Sequence, residues 1–168
     1  MPIEVGAPFP EATLWESAEF GAACPVSPAP VSTTAALKGK RVVVFGLPGA
    51  YTNTCSEKHV PGYLANYDAL KQKGVDEVWC VSVNDGQVMA AWGRDQKAIP
   101  KIRFLGDGSA DLAKKLGLER DLIADGMGIR MRRCSMLVEN GVIKSLNLEE
   151  KGKFGQTAAD TMLQQIGG

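Results

Sequence analysis

The sequence predicts an α/β fold in which a mixed β-sheet lies between helical layers. Three observations carry that expectation. Through the middle of the chain, β-branched runs alternate with segments of helical apolar spacing, the pattern of parallel βαβ units. Near the C-terminus, Asn140-Gly141 separates two apolar runs, which adds an antiparallel hairpin. Before all of these, positions 1–40 are rich in Pro, Ala and Thr and read as a short N-terminal β extension.

The elements follow in order. Ala12-Thr13-Leu14-Trp15 and Val31-Ser32-Thr33-Thr34 are expected to pair as strands around a loop containing Cys24, Pro25, Pro28 and Pro30. Arg41–Gly46, bounded by Gly39 and by Pro48-Gly49, reads as a central strand buried on both faces. Val60, Tyr63, Leu64, Tyr67 and Leu70 recur at helical spacing up to Gly74. Thr54 is the expected cap of that helix, and Pro61 is expected to kink it.

Glu77–Val83 is the second buried strand, followed by a helix with Val88, Met89 and Trp92 inward. Ile102–Leu105 is the third strand, and a short helix through Leu112, Ala113 and Leu116 stops at Gly117. The hairpin pairs Cys134–Val138 with Val142–Leu146, and a last helix spans about Ala158 to Ile166. This order is the thioredoxin-like arrangement with an N-terminal extension.

Size and charge bound the function. At 168 residues and 45% hydrophobic content, one domain over residues 1–168 is expected. Lys+Arg and Asp+Glu both number 19, which counts against general affinity for nucleic acid or anionic membrane. Arg130, Arg132 and Arg133 form a local positive cluster. No segment has the length of apolar sequence that spans a bilayer. Met1–Gly6 shows neither a basic nor an apolar leader, so a cytoplasmic protein is expected, or an organelle-matrix one if a transit peptide has been removed. Four cysteines at 24, 55, 80 and 134 include no CxxC pair, and with His59 the one histidine a metal cluster is not expected.

The loop Leu47–Cys55 joins a buried strand to a helix, at the strand end where α/β sheets bind ligands. A cysteine in the first turn of a helix meets unpaired N–H groups and the positive end of the macrodipole. Both favour thiolate and hence nucleophilicity. Peroxide chemistry also needs the oxygens held in line and donors for the departing one. Thr52 brings a hydroxyl three residues earlier, expected to fold back over the sulfur. Arg133 brings a permanent charge, and Pro48 shapes and shields the pocket. A buried cysteine is more often a core filler. Pro48-Gly49, the flanking threonines and the helix that follows tip the reading towards reactivity.

The segment Pro48-Gly49-Ala50-Tyr51-Thr52-Asn53-Thr54-Cys55-Ser56, then His59-Val60-Pro61-Gly62, resembles the active-site segment of peroxiredoxins of the type II, or peroxiredoxin-5, subfamily. Gly74–Glu77 leading into Cys80–Asp85, then Met89 and Trp92, resembles the next block of that subfamily. Gly128 through Arg133, then Ser135-Met136, resembles its arginine-bearing strand. The resemblance implies a thiol peroxidase that reduces hydrogen peroxide and alkyl hydroperoxides without metal, flavin or haem, and it suggests a homodimer. It implies Cys55 as the peroxidatic nucleophile with Thr52, Pro48 and Arg133 as partners, selecting Arg133 among its arginine neighbours. It also assigns Gly49, Thr54 and His59 to the peroxide pocket. Three positions depart from the pattern: Asn53 replaces a proline, Tyr51 a phenylalanine, and Cys134 an aromatic residue. Tyr51 is expected to change little beyond adding a hydroxyl, whereas Asn53 is expected to loosen the loop.

A sulfenic acid at Cys55 must meet a thiol before it is oxidised further. Cys80 has the spacing of a second cysteine in plant-like type II members, but it lies in a buried strand and is expected to be structural, with a minor resolving role. Cys24 lies in the Pro-rich loop, and alternation points Cys134 to the opposite sheet face. A 1-Cys-type cycle with glutathione, glutaredoxin or thioredoxin as external reductant is therefore expected. Two other classes stay open: a disulfide oxidoreductase, which the missing CxxC disfavours, and a non-catalytic redox sensor or holdase, which slow oxidation of Cys55 would favour.

Overall fold

The computed structural model describes residues 1–166. Its centre is a seven-stranded mixed sheet: β1 (Thr13–Glu16), β2 (Ala29–Ser32), β3 (Arg41–Leu47), β4 (Glu77–Ser82), β5 (Ile102–Gly106), and two further strands near the C-terminus. Strands β3, β4 and β5 run parallel, as their crossover helices require. On the other side of β3 lie β8 (Cys134–Glu139) and β9 (Val142–Leu148), both in antiparallel pairings. The sheet order is β2-β1-β5-β4-β3-β8-β9, a mixed sheet flanked by helices as expected.

Alternation along the strands divides the core in two. Val42 and Val44 of β3 join Trp79, Val81, Cys134 and Met136 on one face, under helices α1 (Thr33–Leu37) and α5 (Asp111–Lys115). Val43, Phe45 and Leu47 join Val78, Cys80, Ile102 and Phe104 on the other. That face is covered by α2 (Val60–Ala65), α3 (Tyr67–Gln72), α4 (Gly86–Asp95) and α6 (Ala159–Gln165). Cys55 and Cys80 belong to this second core, and Cys134 to the first.

The β8–β9 turn is a two-residue loop with Glu139 opposite Val142. Asn140 and Gly141 both have positive φ, 47° and 78°, the signature of the type I′ turn. The N-terminal hairpin joins the sheet edge through Trp15 opposite Gly106. Arg103 pins it there, with both carboxylate oxygens of Glu16 at 2.7 and 2.9 Å and Glu77 at 2.8 Å.

Three local expectations need correction, and a fourth feature was not foreseen. Strand β2 ends at Ser32, whose hydroxyl caps α1 by accepting from the Ala35 N–H, so Thr33 and Thr34 are helical. The helix after the Cys55 loop is interrupted: Cys55–His59 is a π-helical turn, and Asn66 separates α2 from α3. Thr54 has helical dihedrals and makes no side-chain cap. The fourth is a small ribbon, β6 (Glu119–Leu122) paired with β7 (Gly128–Met131), detached from the main sheet. Its strands are largely polar and half-exposed, so no apolar alternation announced them.

The π turn explains how Pro61 is accommodated. Proline cannot donate to the i−4 carbonyl and its ring collides with it. The Val60 N–H reaches back five residues to the Cys55 carbonyl, which widens the helix just ahead of Pro61.

Candidate active site

The end of β3 delivers Leu47 into the core, and the chain then turns through residues 48–52 before the helix begins. Three anchors hold the turn. The Ala50 N–H donates to Asn84 Oδ1 at 3.0 Å. Arg130 Nη1 donates to the Pro48 carbonyl at 3.3 Å, its Nε being held by the Met127 carbonyl at 2.7 Å. Tyr51, in the left-handed region at φ 61°, donates its hydroxyl to Asp95 Oδ2 at 2.7 Å. Its hydroxyl is therefore a tether to the end of α4, more than the neutral addition expected. Gly49 lies under the Arg130 guanidinium: a Cβ there would stand 2.8 Å from Nη1.

Cys55 sits in the first turn of the helix, buried among Phe45, Leu47, Val60 and Trp92. Its sulfur receives one side-chain hydrogen bond, from Arg133 Nη2 at 3.1 Å. Arg133 lies in the two-residue link between β7 and β8, one position before Cys134. Since Cys134 packs into the opposite core, alternation sends Arg133 to the Cys55 side.

The second terminal nitrogen of Arg133 determines the state of His59. Arg133 Nη1 lies 2.8 Å from His59 Nδ1, and a guanidinium can only donate. Nδ1 is therefore the acceptor, and the proton is on Nε2, which donates to the Thr157 carbonyl at 3.1 Å. Burial first, and the Arg133 charge second, push His59 down to about 3, so the ring is neutral at physiological pH. It is fully buried among Phe45, Tyr63 and Phe154. His59 does not line the open pocket; it stands behind Arg133 and orients it.

Thr52 also differs from expectation. Its hydroxyl donates to the Gly49 carbonyl at 2.8 Å instead of reaching back to the sulfur. Pro48 and Thr54 line the cleft beside Cys55, together with Arg133. Cys80 is fully buried in β4, and burial pushes its thiol well up. Burial likewise pushes Cys134 up to about 12. Cys24 is exposed, and all four thiols are free.

The segment from Glu149 to Thr157 supplies residues that the sequence did not single out. Phe154 lies over the Arg133 guanidinium, 5.8 Å from ring centre to Cζ. The Glu149 carboxylate accepts from the backbone N–H groups of Gly155, Gln156 and Thr157 and from the Thr157 hydroxyl, at 2.8–3.1 Å. Burial pushes that carboxyl up, but hydrogen bonds from Thr157 and the neighbouring backbone outweigh it and hold the group below its ordinary value. Glu149 thus shapes the loop whose Thr157 carbonyl fixes His59, which in turn holds Arg133. No local pattern marks this clamp, because its members converge from the end of β9 and the entry to α6.

A Redoxin family model matches residues 4–163. Peroxiredoxin-2B of Arabidopsis thaliana is 41% identical over 165 residues, covering 98% of this chain and 99% of the relative. Other plant relatives are named as chloroplastic and mitochondrial peroxiredoxins. Reduced Prx3 of Vibrio vulnificus, crystallised in complex with hydrogen peroxide, superposes with a TM-score of 0.90 at 41% identity, covering 98% of this chain and 99% of that one. Peroxiredoxin 5 of Alvinella pompejana superposes with a TM-score of 0.84 at 30% identity, covering 98% of both chains.

Proposed function

This chain belongs to the peroxiredoxins of the redoxin family, thiol peroxidases, and on that premise we propose that Cys55 is the peroxidatic nucleophile of a cycle completed by an external thiol. The observation that carries this reading is the 3.1 Å contact from Arg133 to the Cys55 sulfur. It sets a permanent cation and a directed donor at the atom that must carry negative charge.

In the first half-reaction the Cys55 thiolate attacks the terminal oxygen of ROOH. An S–O bond forms as the O–O bond breaks, and the leaving RO⁻ takes a proton to depart as ROH. Sulfur loses two electrons to the peroxide and becomes sulfenic acid. Arg133 keeps the sulfur oriented and its charge screened, while the buried wall excludes bulk water. Neutral His59 contributes by fixing the guanidinium, with no proton transfer of its own.

In the second half-reaction a thiol sulfur displaces hydroxide from the Cys55 sulfenic acid, forming a mixed disulfide and water. A second thiol then releases the Cys55 thiolate and leaves as the oxidised pair. Three observations favour external thiols here: Cys80 is buried within a strand with its thiol held protonated, Cys134 faces the other core, and Cys24 lies in the exposed N-terminal loop. Glutathione, glutaredoxin and thioredoxin are the proposed reductants, hydrogen peroxide and alkyl hydroperoxides the substrates, and a homodimer the proposed assembly. Among the described residues no helix is long and apolar enough to cross a membrane.

Stopped-flow oxidation of wild type and Cys55→Ser with hydrogen peroxide and an alkyl hydroperoxide tests the nucleophile. Rapid oxidation lost in the variant is expected; slow oxidation of wild type would favour a redox sensor instead. Replacing Cys24, Cys80 and Cys134 together by serine should leave turnover with glutathione and glutaredoxin intact. Loss of turnover with a normal first oxidation would sink external resolution.

A further inference from the structure

Pro48, Thr54 and Arg133 form the inner wall of an open cleft of about 410 Å³ beside Cys55. That volume suits a small molecule better than a macromolecule. Its outer wall is strongly charged, and the acids and bases in it are not equally free. Glu149 is turned inward onto its own loop, and Glu150 is paired with Lys153 at 2.7 Å. Among the carboxylates of the lining, only Glu119 has no partner among the described residues.

The bases are different. Lys58, Arg120 and Lys151 line the cleft and make no hydrogen bond or ion pair through their side chains among the described residues. Arg132 donates only its Nε, to the Glu149 carbonyl at 3.1 Å, which leaves the two terminal nitrogens of a planar fork unpartnered. Arg133 is already engaged by Cys55 and His59. In a chain whose charges sum to zero, unpartnered cations are thus gathered in one cleft with Arg133, the residue that touches the Cys55 sulfur.

We propose that this cleft is a carboxylate subsite, which holds the anionic end of a small molecule while its other end reacts at Cys55. The subsite rests on the reading of Cys55 as the nucleophile. Arg132 presents the geometry that binds carboxylate through two parallel hydrogen bonds, and Lys58, Arg120 and Lys151 add charge around it. Two kinds of molecule carry that chemistry: a hydroperoxide with a carboxylate tail, and a small peptide thiol such as glutathione. The first would use the subsite during oxidation of the sulfur, the second during its reduction.

The test compares charged and esterified partners within each protein. Oxidation of Cys55 is followed with linoleate hydroperoxide and with its methyl ester. Reduction of the preformed sulfenic acid is followed with glutathione and with its dimethyl ester. The variants are Arg120→Ala, Lys151→Ala and the pair combined, with Arg120→Lys and Lys151→Arg as charge-keeping controls. Electrostatic focusing of this kind changes association rates by about tenfold or more. The charged-to-ester rate ratio should therefore fall by about that factor in the combined variant, recover in the controls, and shrink in wild type as salt is raised.

A fall confined to the hydroperoxide pair identifies the oxidant as the occupant; a fall confined to the thiol pair identifies the reductant. Equal ratios in wild type and every variant, for both pairs, would overturn the subsite. Hydrogen peroxide, which carries no carboxylate, separates the two claims: failure of wild type to be oxidised rapidly by it defeats the nucleophile assignment, whereas normal oxidation with unchanged ratios defeats only the subsite. Lys151 is exposed, so Lys151→Ala serves if an Arg120 variant does not fold.

Discussion

Arg133 and His59 share a 2.8 Å hydrogen bond whose direction is settled by chemistry, the guanidinium donating and the imidazole Nδ1 accepting. One end of Arg133 is thereby held by a neutral ring and the other by the Cys55 sulfur. Losing either contact should change what the sulfur can do.

Arg133→Ala should lower the second-order rate constant for Cys55 oxidation by about 10²–10³-fold, the usual cost of removing one oriented donor from a reacting centre. Arg133→Lys should recover only part of that loss. An ammonium on a flexible stem is not a rigid fork that spans sulfur and imidazole together. Stopped-flow kinetics with hydrogen peroxide provides the measurement, and a lysine variant of wild-type rate would contradict the two-ended role.

His59→Gln should flatten the acid limb of the stability curve. In the folded chain His59 is pushed down to about 3 from an ordinary 6.5. Between those values the unfolded chain binds a proton that the folded chain refuses, so stability rises with pH. His59 therefore contributes stability that is complete above about 6.5 and is lost as pH falls towards 3. The wild-type slope in this window should exceed that of the variant by up to about 1.4 kcal/mol per pH unit. Urea titrations at several pH values report it directly.

Glu149→Gln should loosen the clamp at its far end. A glutamine oxygen can still accept, but its NH₂ would face backbone N–H groups of the 155–157 turn. Buried donors left without an acceptor cost about 1–3 kcal/mol. If the carboxylate acts through Thr157 and His59, peroxide oxidation should slow as well, and the Arg133→Ala and Glu149→Gln effects on that rate should be less than additive. Full additivity would mean that Glu149 serves stability alone.

Tyr51→Phe removes the 2.7 Å hydrogen bond to Asp95 while keeping the ring near Trp92. Tyr51 is exposed, so the expected stability change is small, about 0.5–1.5 kcal/mol at most. Hydrogen exchange at the amides of the 49–54 turn should rise more than exchange elsewhere, because this tether closes the turn against α4.

The order of strands and helices could be read locally. The Val42–Phe45 run, the β-branched centre of β4 and the Asn140-Gly141 step each identify themselves within a few residues, because period and turn chemistry are local properties. The ribbon of β6 and β7 could not be read, since its residues pack too little to impose a pattern. The cap at Thr54 failed for a related reason: helical backbone already runs through Thr54, so it lies inside the helix and not at its extended entry.

The position of Cys55 at a helix start was legible because the Pro48-Gly49 turn and the helical spacing after it lie within one short segment. Thr52 was singled out in the same loop, but its hydroxyl turns to the Gly49 carbonyl, a direction that its spacing from Cys55 did not reveal. The resemblance had already selected Arg133 among its arginine neighbours, but the tasks of Arg130 and Arg132 and the support behind Arg133 emerged only on folding. Arg130 holds the Pro48 carbonyl, Arg132 faces the cleft from the Glu149 carbonyl, and Arg133 meets Cys55. Their spacing cannot reveal this, because each destination is a group brought in from another part of the chain. Local sequence was enough to single out Cys55 and the sheet end that carries it. Folding supplied what holds the Arg133 charge against that sulfur: His59, the Thr157 carbonyl and the Glu149 carboxylate.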